Sequence, residues 1–207
     1  MMNIPTQKEC YGLIREMGMM DHIVDHSEQV CRVAVCLADR LNHKGIDLNL
    51  ELIRASALLH DITKTRSFRT RENHAETGGK FLQERGFNEV GHVVAQHVKL
   101  DTYVASGSPM EAEIVNYADK RVLHDQIVPL TDRLAYILER YGDGMESRER
   151  ILGLWAKSKE LEQKIFSCLP FLPDALKGVV GTHPGAKGSR KPGFEGDTRV
   201  IRGLEGG

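Results

Sequence analysis

His60 and Asp61 stand side by side at the end of an apolar run, Leu52-Ile53-Arg54-Ala55-Ser56-Ala57-Leu58-Leu59. His26 precedes the pair, and Lys64, His74, His97 and Asp119 follow it, most of them near apolar positions at helical spacing. Imidazole and carboxylate are the ligands expected of divalent ions such as Fe, Mn, Zn or Co. Ions held this way activate water and offset charge on phosphate oxygens, which is the chemistry of phosphate-ester hydrolysis.

The spacing shows how distant ligands can meet. Successive residues of a helix point about 100° apart, so His60 and Asp61 cannot close on one ion as an i, i+4 pair would. A carboxylate in the second position can instead bridge two ions while the imidazole holds one of them. His26 lies four residues before Val30, on the core stripe of its own helix. Asp119 lies four after Val115 and four before Leu123, again on the inner face. Three helices can thus direct His26, His60, Asp61 and Asp119 into one bundle interior, the usual way helical bundles build metal sites.

The elements that must carry these residues are helical nearly throughout. Val30, Val33, Ala34, Leu37 and Leu41 mark a helix over 22–43, and Asn42 and Gly45 stop it. Further helices are expected from Leu52 into His60, over 72–85, over 90–98, over 111–125, over 130–141 and over 147–166. Alternating patterns flanked by hairpin turns are absent, so the fold class is an all-α helical bundle. Pro170 and Pro173 end the ordered pattern. Between Thr182 and Gly207 stand seven glycines, two prolines and few apolar residues, so a folded unit over 1–180 and a flexible tail over 181–207 are expected.

Composition excludes several classes. The chain has 207 residues, 41% hydrophobic and 28% charged, with net charge −1, so no global field recruits nucleic acid or an anionic membrane. No apolar run approaches the ~20 residues that span a bilayer. The first twenty residues mix charge with apolar side chains and do not read as a signal peptide. Cys10, Cys31, Cys36 and Cys168 lack metal-ligand or disulfide spacing and read as free thiols, so a cytoplasmic protein is expected.

Taken in order, His26, His60-Asp61 and Asp119 resemble the signature of the HD-domain superfamily of metal-dependent phosphohydrolases. His60-Asp61-Ile62-Thr63-Lys64 is similar to that superfamily's His-Asp-Ile-Gly-Lys variant, and the likeness covers roughly residues 20 to 125. His74 and His97 match, in order, the two further ligands of binuclear members. The resemblance implies two divalent ions per chain held by His26, His60, Asp61, His74, His97 and Asp119, their identity open among Fe, Mn, Zn, Co and Mg. It implies catalytic roles for Asp61 and Lys64, with Lys64 contacting phosphate. Val98-Lys99-Leu100-Asp101 after His97 lacks the tandem histidine of cyclic-dinucleotide phosphodiesterases.

The stretch Ile62 to Arg71 holds Lys64, Arg66, Arg69 and Arg71 and no acid, a basic run suited to an anionic substrate. Lys80 is a further cation within reach of such a site. The substrate expected is a phosphorylated small molecule, a nucleotide above all. Two alternatives share the ligands: a di-iron oxygenase of the same fold, and a metal- and nucleotide-binding regulatory module without turnover. His22, His43, His92 and His183 are not expected to ligate, and His124-Asp125 reads as a decoy pair. Trp155 belongs either to the core or to a homodimer face.

Overall fold

The computed structural model describes residues 2–101 and 103–183. It is all-α, with helices α1 (Gln7–Glu16), α2 (Asp21–Asn42), α3 (Leu50–Leu59), α4 (Lys64–Thr70), α5 (His74–Glu84), α6 (Asn88–Ala95) and α7 (Glu111–Lys120) preceding a short hairpin. The hairpin pairs β1 (Val122–Leu123) with β2 (Gln126–Ile127), and α8 (Leu130–Tyr141), α9 (Met145–Ser167) and α10 (Leu176–Thr182) follow. From residue 184 on, the expected tail lies outside the described residues.

Helix α3 is the axis of the bundle. Asn49 caps it by accepting from the Glu51 and Leu52 amides, and seven of its ten residues are buried. A short helix enclosed on nearly every side must be apolar all round, which explains its nearly unbroken run of small and aliphatic residues. α2 packs along it through Val30, Val33, Ala34, Leu37 and Leu41, with Asp21 and Arg40 at the ends that favour them electrostatically. α6 and α7 complete the ring around α3.

The α5–α6 pair is the tightest crossing. A Cβ on Gly79 would sit 2.7 Å from the Gly91 carbonyl oxygen and 2.9 Å from the Ala95 Cβ, so only glycine permits this approach. The crossing brings the start of α5, which carries His74, beside the end of α6, which leads to His97. Gly79→Ala is expected to force the helices apart and to cost ~1–3 kcal/mol by overpacking, read as a lower denaturant midpoint at unchanged slope.

Several expectations are corrected. The helix expected to reach Asp125 ends at Lys120, because Val122 to Ile127 folds back on itself with Val122 opposite Ile127 and Leu123 opposite Gln126. The two-residue turn this leaves, His124-Asp125, puts His124 in the left-handed region at φ 54°. Order does not end at Pro170 and Pro173: a 3-10 turn (Pro173–Ala175) leads into α10, whose Leu176 and Val180 are buried, and α10 packs against α2. α1, opened by a Thr6–Glu9 capping box, was not among the expected helices. No described helix is long and apolar enough to cross a membrane.

Candidate metal centre and substrate cavity

Five elements deliver the candidate ligands. His26 projects from the first turns of α2, His60 caps the C-terminus of α3, and Asp61 follows in the turn before α4. His74 is the first residue of α5, fixed by the Asn73 cap that accepts from the Ala75 amide. His97 follows the end of α6, and Asp119 sits on the last turn of α7. His26, His60, Asp61 and His97 are buried, and His74 and Asp119 are half-buried.

The structure brings all six together. His26 Nε2 lies 3.0 Å from Asp119 Oδ1, and His60 Nε2 lies 3.7 Å from that same oxygen. His60 Nε2 is also 3.4 Å from Asp61 Oδ2. The other Asp61 oxygen faces a different pair: Oδ1 is 3.3 Å from His74 Nε2 and 3.5 Å from His97 Nε2. The two Nε2 atoms of His74 and His97 are 3.2 Å apart. Two overlapping groups have their ligand atoms within 4.8 Å of one another, His26–His60–Asp119 and His60–Asp61–His97.

The hydrogen bonds fix which nitrogen faces inward. Nδ1 of His60 meets the Ala57 carbonyl at 2.8 Å, Nδ1 of His97 meets Val94 at 2.7 Å, and Nδ1 of His26 meets His124 at 2.8 Å. A carbonyl oxygen only accepts, so each Nδ1 carries the proton and donates it, which leaves Nε2 as a lone pair directed at the cluster when the ring is neutral. Metal-ligating histidines are held in this way. His60 Nε2 and Asp61 Oδ1 are buried without a hydrogen-bond partner, an arrangement that costs stability unless a cation occupies the space between. Donor types, orientation and orphaned atoms all fit a divalent ion.

Electrostatics point the same way. Burial opposes the charge on Asp61, yet the His60 imidazole and the Lys64 ammonium outweigh it and hold the carboxyl well below the usual range. Burial likewise opposes the charge on Asp119, and the His26 hydrogen bond and the His60 charge overcome it. Burial lowers the His60 imidazole, but Asp61 and Asp119 raise it above its ordinary value. Carboxylates that draw a proton to an imidazole draw a divalent cation into the same space. Burial pushes His97 down to about 4, keeping its ring neutral and able to ligate.

A cavity of about 650 Å³ opens over the cluster. Lys64 stands in its wall with Nζ 2.7 Å from Asp61 Oδ2, as the sequence suggested for a cation beside the site. Arg66, Arg69 and Arg71 do not line the cavity: Arg66 is ion-paired with Glu72 at 2.6 Å, and Arg69 and Arg71 are exposed. Lys80 is also exposed and directed to Glu84. The basic run is a helix, so Lys64, Ser67 and Phe68 share one face and the arginines lie elsewhere. The cations sequence reading missed are Arg133 and Arg140 on α8 and the buried Lys120, which donates to the carbonyls of His97 and Asn116.

His124 belongs to neither candidate ligand group, but its carbonyl orients His26 and its ring stands edge-on to Tyr136 at 5.5 Å. His22 lines the cavity mouth, while His43 and His183 bind Asp39 and His92 faces Gln96. Trp155 is buried, donates Nε1 to the Leu130 carbonyl, and faces the cavity from α9.

Comparison with known proteins gives four findings. Residues 23–137 match the family described as HD domain. An uncharacterised protein of Methanocaldococcus jannaschii is 27% identical over 145 residues, spanning 64% of this chain and 85% of that protein. A tRNA (cytidine(56)-2'-O)-methyltransferase of Picrophilus torridus is 29% identical over 140 residues, 61% of this chain but 39% of the enzyme. The crystal structure of a predicted HD superfamily hydrolase from an uncultured Thermotogales bacterium is similar at TM-score 0.44 and 20% identity, over 81% of this chain and 95% of that one.

Proposed function

Since this chain belongs to the HD domain family, we propose that it is a metal-dependent phosphohydrolase acting on a phosphate ester or anhydride of a nucleotide. The observation that supports this most is Asp61, whose two buried oxygens face two different sets of imidazoles, His60 on one side and His74 with His97 on the other. Such a carboxylate is arranged to be shared between two cations. In this reading His26, His60, Asp61 and Asp119 would hold one ion, and Asp61, His74 and His97 would hold the other. Divalent ions bound there lower the pKa of water and neutralise charge on phosphate oxygens.

The chain's own residues supply the rest. Asp61 fixes both ligand groups relative to each other, and the Nδ1 donors of His26, His60 and His97 keep their rings from rotating. Lys64, half-buried beside Asp61, presents its ammonium to the cavity and offsets negative charge that grows on the transferring phosphoryl group. Burial of His60, Asp61 and His97 shields that side of the cluster from bulk water. Cations around the cavity suit an anionic substrate such as a phosphate ester.

Metal analysis of natively purified protein is expected to find about two ions per chain, the count a shared carboxylate implies. Chelation is expected to abolish phosphate release from a panel of nucleotides, and added metal to restore it. It should also lower the melting temperature, because an ion bound only by the folded chain stabilises it. Metal-free protein that keeps its full hydrolytic rate would overturn the proposal.

A further inference from the structure

Helix α8 has an amphipathic sequence but almost none of it is buried. Among its residues only Leu130 is fully buried, whereas Arg133, Tyr136, Ile137, Arg140 and Tyr141 all border the cavity. Their spacing of three and four is that of one helical face, so α8 turns a mixed cationic and aromatic stripe towards the cavity instead of a packed surface.

Arg133 is the half-buried cation of that stripe, Arg140 being exposed. Arg66, Arg85 and Arg121 each pair with a carboxylate, Glu72, Glu16 and Glu162 in turn. Half-buried Arg133 has no ion pair among the described residues, and its guanidinium stands 5.8 Å from the Tyr136 ring centre. It lines the same cavity as Asp119, Lys64 and Lys120. Of the other cations there, Lys64 is occupied by Asp61 and Lys120 by His97 and Asn116, and Arg140 is exposed two turns further along α8. An unpaired guanidinium partly removed from water is costly until an anion meets it, and its planar fork matches phosphate. Helix α9, packed beside α8, adds Ile151, Leu154 and Trp155, an apolar wall of the cavity.

We propose that α8 recognises the substrate, with Arg133 receiving its phosphate and Tyr136 stacking on a flat ring of the same molecule, so that the substrate class is a nucleoside monophosphate or an aryl phosphate of similar size. The inference rests on the phosphohydrolase reading and adds the residues that select the substrate. The cavity volume, about 650 Å³, falls within the ~300–1,000 Å³ of single small-molecule sites. One cationic wall and one apolar wall suit a ligand charged at one end and flat at the other.

The test is calorimetric titration of the metal-loaded full chain with inorganic phosphate and with adenosine 5′-monophosphate. Arg133→Gln is expected to weaken both by about tenfold or more, as a charge-assisted pair is lost. Tyr136→Leu is expected to weaken the nucleotide roughly tenfold, the scale of one base stacked on an aromatic ring, and to weaken phosphate much less. Unchanged phosphate affinity in Arg133→Gln, equal losses for both probes in Tyr136→Leu, or no binding of either probe to the wild type would each overturn the proposal. If the wild type hydrolyses phosphoesters while the variants bind like wild type, recognition by α8 fails alone. If the variants shift binding as expected but no phosphoester is cleaved, the hydrolase reading fails and recognition by α8 stands.

Discussion

Asp61→Asn is expected to lower kcat/KM for phosphate release by at least ~1,000-fold, about 4 kcal/mol at 1.36 kcal/mol per decade. The asparagine keeps the volume and the turn before α4 but offers one neutral oxygen in place of two anionic ones. His60, His74 and His97 then face a site with no carboxylate shared between them. Bound metal should fall from about two ions per chain to one or none, since bridging by one residue is what brings the pair together. Lys64 loses its partner, but its side chain reaches solvent in the cavity, so the helical circular dichroism should be retained. Activity within tenfold of wild type, with full metal content, would show that the carboxylate bridges nothing.

The second large effect is on stability. Lys164 of α9 is buried and donates to both oxygens of buried Glu113 on α7 at 2.8 Å, and to the Val104 carbonyl at 2.9 Å. Glu113 in turn accepts from the Met110 amide at the start of α7. Lys164→Met leaves a carboxylate enclosed without a counter-charge, which costs ~3–5 kcal/mol. For a chain of this length that corresponds to a fall of roughly 6–20 °C in melting temperature. The double variant Lys164→Met with Glu113→Leu should recover most of the loss, because removing both charges removes the unpaired one. A double variant no more stable than Lys164→Met would assign the loss to packing instead of charge.

Most of the helices were legible because a buried stripe has a period. α2 and α7 show it plainly, and the candidate ligands His26 and Asp119 stand on such stripes. Order along the chain and the family resemblance were enough to name all six candidate ligands, although His74 and His97 rested on that order alone. The arginines of the basic run misled because charge alone carries no direction. Once residues 64–70 form a helix, only the Lys64, Ser67 and Phe68 face meets the cavity. The replacement cations were visible in principle: on α8 the positions 133, 136, 137 and 140 mix arginine and tyrosine into a stripe that should be apolar throughout. The hairpin was missed because Val122 and Leu123 continue the helical period of α7, while their pairing with Gln126 and Ile127 depends on a left-handed residue that sequence does not announce.

Three of the four imidazoles at the centre are steered by peptide oxygens, those of Ala57, Val94 and His124, instead of by side chains. Replacing the side chain of a steering residue therefore leaves the steering atom in place. The rings lose their aim only when the main chain itself loosens, at the close of α3, at the close of α6, or in the hairpin. The aim of these rings at the candidate metal centre is consequently tied to the integrity of three backbone segments, and drift in the surrounding side chains leaves it largely untouched.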